Sequence, residues 1–383
     1  MFHRTFRSDR IRRLLIGVAL VVMFCAGKPA YANSDLRGVL GELAGDLKKL
    51  LDGRSEDSIA IGEFTGPANI QTSSGPGIVQ TLSEELTKRK VTVKARATLG
   101  VKGTYSLAEL PAENRDDARL GVKVLAVKVK AIVEDTFGNP LSDLSFERTI
   151  RGEATVVSMI GLTASLPTAG TERERDKHLR ERLIDPKPVI QRTVIRSDAK
   201  SPYGIEIVIG KQPRAATDRD GLAFVSIQRG EVYAVRLIND SSLDAAVQLR
   251  IDGLSVFDFS ELRHKDGEQK GEPLYTTLIV PAKSNALIPG WHRTNDKSDT
   301  FKVTAYADSA AATLKHTASI GTITAIFQAA WPEGATAPAD EPGKRRGGTG
   351  DATGFGPRID VKYEEVNRNL GVIRDTVSVR YAK

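Results

Sequence analysis

The stretch "IAIGEFTGPANIQTSSGPGIVQTLSEELTKR", residues 59–89, decides how the first half of this chain folds. Ile59-Ala60-Ile61 opens an apolar run, and Ser58 to Phe64 reads as a buried strand. A Gly/Pro/Ser-rich loop follows. Ile78, Val79, Leu82 and Leu86 then recur at helical spacing, with Pro76 suited to a first helical position and Lys88-Arg89-Lys90 to a last turn, so a helix is expected over 76–89. Strand, glycine-rich loop and helix is also the order of phosphate-cradling loops. A Walker loop needs Gly-Lys-Ser/Thr at the helix start, whereas Gly75-Pro76-Gly77-Ile78 stands here, and Pro76 deletes one donor an anion would use. G-x-G-x-x-G is absent too. The loop reads as a helix start, with nucleotide sensing through 66–77 as an alternative.

On the N-terminal side, "DLRGVLGELAGDLKKLLD" (35–52) places Leu36, Val39, Leu40, Leu43, Leu47, Leu50 and Leu51 on a helical stripe that Gly53 stops. On the C-terminal side, "VTVKARATL" (91–99) and "VKVLAVKVKAIVED" (122–135) alternate with period two. "TFGNPL" is a turn into the strand "SDLSFERTI", and "EATVVSMIGLTASL" (153–166) reads as a second core helix. The expected fold here is an α/β or α+β domain over 33–166.

Residues 167–200 read as a charged linker, solvated or an exposed helix. Nine of the eleven residues from Glu172 to Arg182 are charged, and Asp185-Pro186-Lys187-Pro188 forbids a continuous helix. From Tyr203 onward the pattern is β throughout, from "YGIEIVIG" through "EVYAVRLIN" and "LSVFDF" to "VIRDTVSVRYA". Turns such as Asp218-Arg219-Asp220-Gly221 separate the runs, and the spacing argues for an antiparallel, all-β immunoglobulin-like sandwich over 201–383. "ADSAAATLKHTA" (307–318) is a helical candidate inside it, and 332–358 is a long Gly/Pro loop.

The N-terminus carries a different signal. "MFHRTFRSDRIRR" is basic, "LLIGVALVVMFCAG" is apolar and "KPAYA" ends in small-x-small before Asn33, the pattern of a secretory signal peptide over 1–32. The apolar run is about 14 residues, short of the roughly 20 that span a bilayer. Association with a membrane through an uncleaved leader or a lipidated Cys25 is the alternative, although Phe24 is bulky for a lipoprotein cleavage site. Six Lys/Arg and Asp9 lie in the leader, so 55 basic and 48 acidic residues become 49 and 47 after cleavage. The basic balance belongs to the leader and is no nucleic-acid signature. Cys25 is the sole cysteine, so the exported chain has neither disulfide nor thiolate metal site.

Chemical constellations are sparse. The Asp218–Gly221 turn lacks the first and twelfth carboxylates of a calcium loop, at Ala216 and Ile227. His178, His264, His292 and His316 lie far apart in sequence, G-x-S-x-G is missing, and no catalytic residue, metal or cofactor is expected. Glu84/Glu85 and Glu364/Glu365 are sequential neighbours expected on different faces. Trp291 and His292 in "PGWHRTND", and the basic cluster Lys344-Arg345-Arg346, are the candidate partner-binding residues.

The segment Ile59 to Tyr105, with "IAIGEF", "SSGPGI", the helix "VQTLSEELTKR" and "GVKGTY", resembles the N-terminal part of the CsgG/TolB-N-like envelope proteins. The D-x-x-G turn at Asp135–Gly138 and the strand "SDLSFERTI" extend the resemblance over about residues 35–165. It implies a non-enzymatic role in periplasmic or outer-membrane-associated assembly, secretion or regulation, with envelope proteins or polymers as partners. The chain departs from that pattern in lacking a good lipobox and any long amphipathic insertion for pore-forming hairpins, so a soluble accessory protein is expected. The rival class is an envelope polysaccharide hydrolase with dispersed carboxylates.

Overall fold

The computed structural model describes residues 22–24, 36–66, 74–112, 115–267, 270–303, 320–341 and 358–382. The helical candidate 307–318, most of the 332–358 loop, Cys25 and Lys344-Arg345-Arg346 lie outside them. The chain is mostly β, in several sheets.

The leucine stripe forms α1 (Leu36–Gly53), with Leu40, Leu43, Leu47 and Leu51 fully buried. Strand Ser58–Thr65 feeds α2 (Gly75–Lys88), and the chain returns in parallel as Thr92–Lys94. Such a crossover needs a helix to cover the sheet, and Ile78, Leu82 and Leu86 supply its apolar face. Leu99–Pro111 joins parallel on the other side of Ser58–Thr65, and Lys123–Asp135 and Pro140–Ile150 add antiparallel strands. The short helix α3 (Arg115–Arg119) lies between the first two of these three. At the last hairpin the Asp135 carboxylate accepts from the Phe137 and Asn139 backbone N–H groups, and Gly138 takes a φ of 82°.

The later chain builds two larger sheets. One runs, in order, Ala216–Arg219, Leu222–Ser226, Arg368–Ala382, Ile320–Pro332, Asp244–Ile251, Leu278–Val280, Val22–Phe24 and Tyr363–Glu365. The other runs Gly290–Thr294, Lys297–Lys302, Val232–Asn239, Tyr203–Ile209, Val194–Arg196 and Val189–Gln191. Ile205, Ile207, Val235 and Leu237 of the second share one core with Val247, Leu249, Ile323, Phe327 and Val377 of the first. Two pairings are parallel rather than antiparallel: Leu222–Ser226 with Arg368–Ala382, and Val22–Phe24 with Tyr363–Glu365.

Three expected elements differ. The helix read over 153–166 is α4 (Glu153–Ile160), because Gly161 turns into the left-handed region at φ 59°. Ala164–Ser165 then pairs with Asp375–Thr376 as a strand. The segment read as a charged linker or an exposed helix over 167–200 holds the helix α5 (Glu172–Ile184), started by a Thr171/Glu174 capping box and ended before Pro186, with Arg175, Asp176 and Leu179 buried. It also holds Val189–Gln191 and Val194–Arg196, which pair with each other, and Ile195 pairs with Ile205. In "LSVFDF" Leu254–Ser255 alone is strand. The Asp258 carboxylate then accepts from Ser255 N–H and folds the chain into a turn.

The two parts dock through a polar contact. Thr376 and Ser378 hydroxyls both donate to Leu162 O, at 3.0 and 3.2 Å. Thr163 Oγ1 accepts from Ser378 N–H at 2.9 Å. Arg175 of α5 holds Glu153 of α4 while donating to Pro167 O and Ile373 O. Ile326 and Ile373 meanwhile join the apolar core of α1, α2 and α4.

Candidate functional site

The glycine-rich helix start is sealed against the later sheets. A Cβ on Gly77 would stand 3.0 Å from Gly253 O and 3.1 Å from a Leu254 methyl, and one on Gly75 would stand 2.1 Å from Phe64 O. Ser74 donates its hydroxyl to Met159 O of α4. Glycine is required here for close approach of backbone to backbone, and the Gly253 carbonyl faces Gly77. Titration with ATP or GTP is expected to give no binding heat. A saturable heat would support the phosphate-cradle reading, whose loop residues 67–73 lie outside the described residues.

Trp291 and His292 lie on the strand Gly290–Thr294, and both are buried. Trp291 packs edge-on between Phe259 and Phe301, with ring centroids at 5.4 and 5.2 Å. His292 sits in an aromatic box of Phe257, Tyr275 and Tyr363, at 5.2, 5.9 and 5.4 Å. A polar chain runs from it to the surface. The imidazole Nε2 meets Asn295 Oδ1 at 3.3 Å, Asn295 donates to the Tyr275 hydroxyl at 3.4 Å, and Tyr275 donates to Glu365 at 2.9 Å. Tyr363 meets the Ser298 hydroxyl at 3.3 Å. Burial pushes His292 down to about 4 and Tyr363 up to about 12, so both are neutral at pH 7. These rings therefore hold a strand junction together, and neither Trp291 nor His292 presents a face to a partner in this conformation.

A buried base with a depressed pKa contributes stability that is present above about pH 6.5 and is lost as pH falls toward about 4. His292→Phe is expected to keep the fold and to remove that loss, on the order of 2–3 kcal/mol between those pH values. Urea midpoints at pH 7 and pH 4.5 read the difference, and an unchanged acid slope would show that the imidazole is accessible.

The carboxylates are organised around cations. Glu84 and Glu85, expected on different faces of their helix, both reach Arg37 of α1, at 2.7 and 3.1 Å. Neighbouring helical residues diverge by about 100°, which the fork of one guanidinium can bridge. Glu272, from the 263–275 loop of the later sheets, joins Arg37 at 3.0 Å and Lys88 at 2.9 Å. Burial alone would raise Glu85, but Lys88, Arg89 and Arg37 hold it below the ordinary carboxylate range. An ionised, cation-bound Glu85 is unsuited to donate a proton to a leaving group. At the other pair, Glu364 meets Lys362 at 3.8 Å while Glu365 accepts from Tyr275.

Asp375 escapes sequence reading. It is 1% exposed on Arg368–Ala382 and accepts from the Ser197 and Ser201 hydroxyls, each at 2.6 Å. Burial, with Asp198 nearby, pushes its carboxyl up to about 8 against the two serine bonds. Its only sequence sign is an acidic residue in the otherwise alternating "VIRDTVSVRYA". Among the described residues no cluster of three His, Cys, Asp or Glu side chains could hold a metal ion, and no helix is long and apolar enough to cross a membrane.

No family model and no curated protein matches this chain. Among solved structures, the yeast delta-COP-I mu-homology domain complexed with a Dsl1 WxWxV peptide aligns over 74% of this chain and 96% of that one. The identity is 9% and the TM-score 0.14, too low to carry an argument about fold or function.

Proposed function

We propose that this is an exported, non-enzymatic binding or scaffolding protein of the cell envelope. A CsgG/TolB-N-like α/β domain is mounted in it on an immunoglobulin-like β-sandwich. The observation that carries the reading is the joint between the parts. Arg37, Glu84, Glu85, Lys88 and Glu272 form one ion-pair network across it, and Ala164–Ser165 adds a strand from the first part to a sheet of the second. A joint fixed by charge, backbone pairing and shared core holds two surfaces at a set angle, which suits a scaffold more than a hinge around a substrate. The leader pattern in the sequence supports export. Crosslinked pull-down of the chain from its own envelope fraction tests the proposal. Recovery of a specific envelope protein or polymer is expected, and recovery of none would count against it.

A further inference from the structure

The apolar leader segment occupies a particular place in the sheet. Met23 and Phe24 pair antiparallel with Ile279 and Leu278. Val22, Met23 and Phe24 pair in parallel with Tyr363, Glu364 and Glu365. The two flanking strands are thus neighbours of the leader rather than of each other.

Each flanking strand is anchored without the leader. Leu278–Val280 is laddered on its far side to Ala245–Val247. Tyr363 donates its N–H to Asn295 O at 2.8 Å and sets its ring against His292, while Glu365 caps Tyr275. Loss of the leader therefore leaves two fixed strand edges about two inter-strand spacings apart, roughly 9–10 Å. Unpaired edges are templates for strand addition.

We propose that this gap is a strand-accepting slot, open in the processed protein to an extended apolar segment of another exported polypeptide. The inference rests on the export reading above, since cleavage after Ala32 is what empties the slot. The segment that fills it here, Val22-Met23-Phe24, states the occupant's chemistry: a short apolar run, antiparallel to Leu278–Val280. Glu364 and Glu365 are exposed on one wall, so Lys or Arg flanking that run complements the rim.

The test uses the protein purified from its envelope fraction, with its N-terminus read by intact mass. For a chain beginning at Asn33, the probe is a peptide of residues 19–28 carrying Cys25→Ser. Amide exchange at the N–H groups of Leu278–Val280 and Glu364–Glu365 that face the gap is expected to slow at least tenfold on saturation, and the same peptide with Met23→Pro is expected to have no effect. No slowing would overturn the slot. So would amides already protected without peptide, whether by closure of the gap or by pairing with a second copy. Should the mass show the leader retained, the cleavage reading fails separately. The slot is then tested by Met23→Pro in the full chain, where faster exchange at the same amides supports it and unchanged exchange overturns it.

Discussion

Asp375→Asn is expected to remove the loss of stability that this one carboxyl should bring as pH rises from about 4 to about 8. In the fold the carboxyl is sealed between Ser197 and Ser201, with its pKa pushed up to about 8. The ordinary carboxylate value is 3.8. An acid raised in this way contributes stability that is fully present below its unfolded value and is lost as pH rises through the folded one. Each unit of the window is worth about 1.4 kcal/mol, so the loss is on the order of 2–5 kcal/mol by pH 8. Asparagine has no proton to lose, and its stability should stay flat over the same range. It leaves a buried amide N–H₂ where the second carboxyl oxygen lay, at a cost of about 1–3 kcal/mol that does not depend on pH. The two stability curves should therefore cross: the variant is weaker at pH 4 and stronger at pH 9. Urea midpoints at pH 4, 7 and 9 measure this. Parallel curves would mean that Asp375 is ionised in the fold.

Why this site is hidden in the sequence follows from where the polar residues end up. Arg368–Ala382 and Ile320–Pro332 alternate, and Val377, Val379 and Phe327 are duly in the core between the two larger sheets. The opposite face carries Thr322, Thr324, Gln328, Thr376, Ser378 and Arg380, a composition that reads as facing water. All six are buried, and α4 and the Leu162–Ser165 segment pack beside them. Asp375, in register with Phe327, lies on the core face with Val377 and Val379, where Ser197 and Ser201 meet it. Period-two alternation locates the pleat, not what lies above it. Elements whose partners are near in sequence were legible. α1, expected over 35–52, spans Leu36–Gly53, and the strand expected over 58–64 spans Ser58–Thr65. The helix expected over 76–89 spans Gly75–Lys88. The strands Val189–Gln191 and Val194–Arg196 were not legible, because three-residue strands beside an eleven-residue charged run carry no periodicity of their own. Trp291 and His292 stand out by residue type, but type alone does not separate a ring in a box from a ring on a surface.

Arg37→Ala is the second large effect expected, because this one guanidinium serves three carboxylates from two parts of the chain. Arg37 lies in the first turn of α1 and is 7% exposed. Gly41, one turn later, leaves room for Glu85, whose carboxylate oxygen would stand 3.3 Å from a Cβ there. Removing the guanidinium leaves Glu84, Glu85 and Glu272 facing one another with Lys88 and Arg89 as their remaining cations. Deleting one partner of a buried ion pair costs about 3–5 kcal/mol, most of it from the charge left behind. A surface pair would cost under about 1 kcal/mol, so the size of the effect reports on burial. Arg37→Ala combined with Glu85→Gln should lose less than the two single changes added together, since the second substitution removes the stranded charge. Position matters as much as size, because Glu272 belongs to the 263–275 loop. Amide exchange there should quicken together with that of α1 and α2, which marks Arg37 as a clamp between the parts rather than a cap within its own helix. Acid titration gives the sign independently. Glu85 is held below its ordinary value, so its contribution is present above about pH 4.5 and is lost as pH falls through the folded value. In Arg37→Ala that acid-sensitive share should shrink, and an unaltered acid profile would show that Lys88 and Arg89 alone hold the carboxylate.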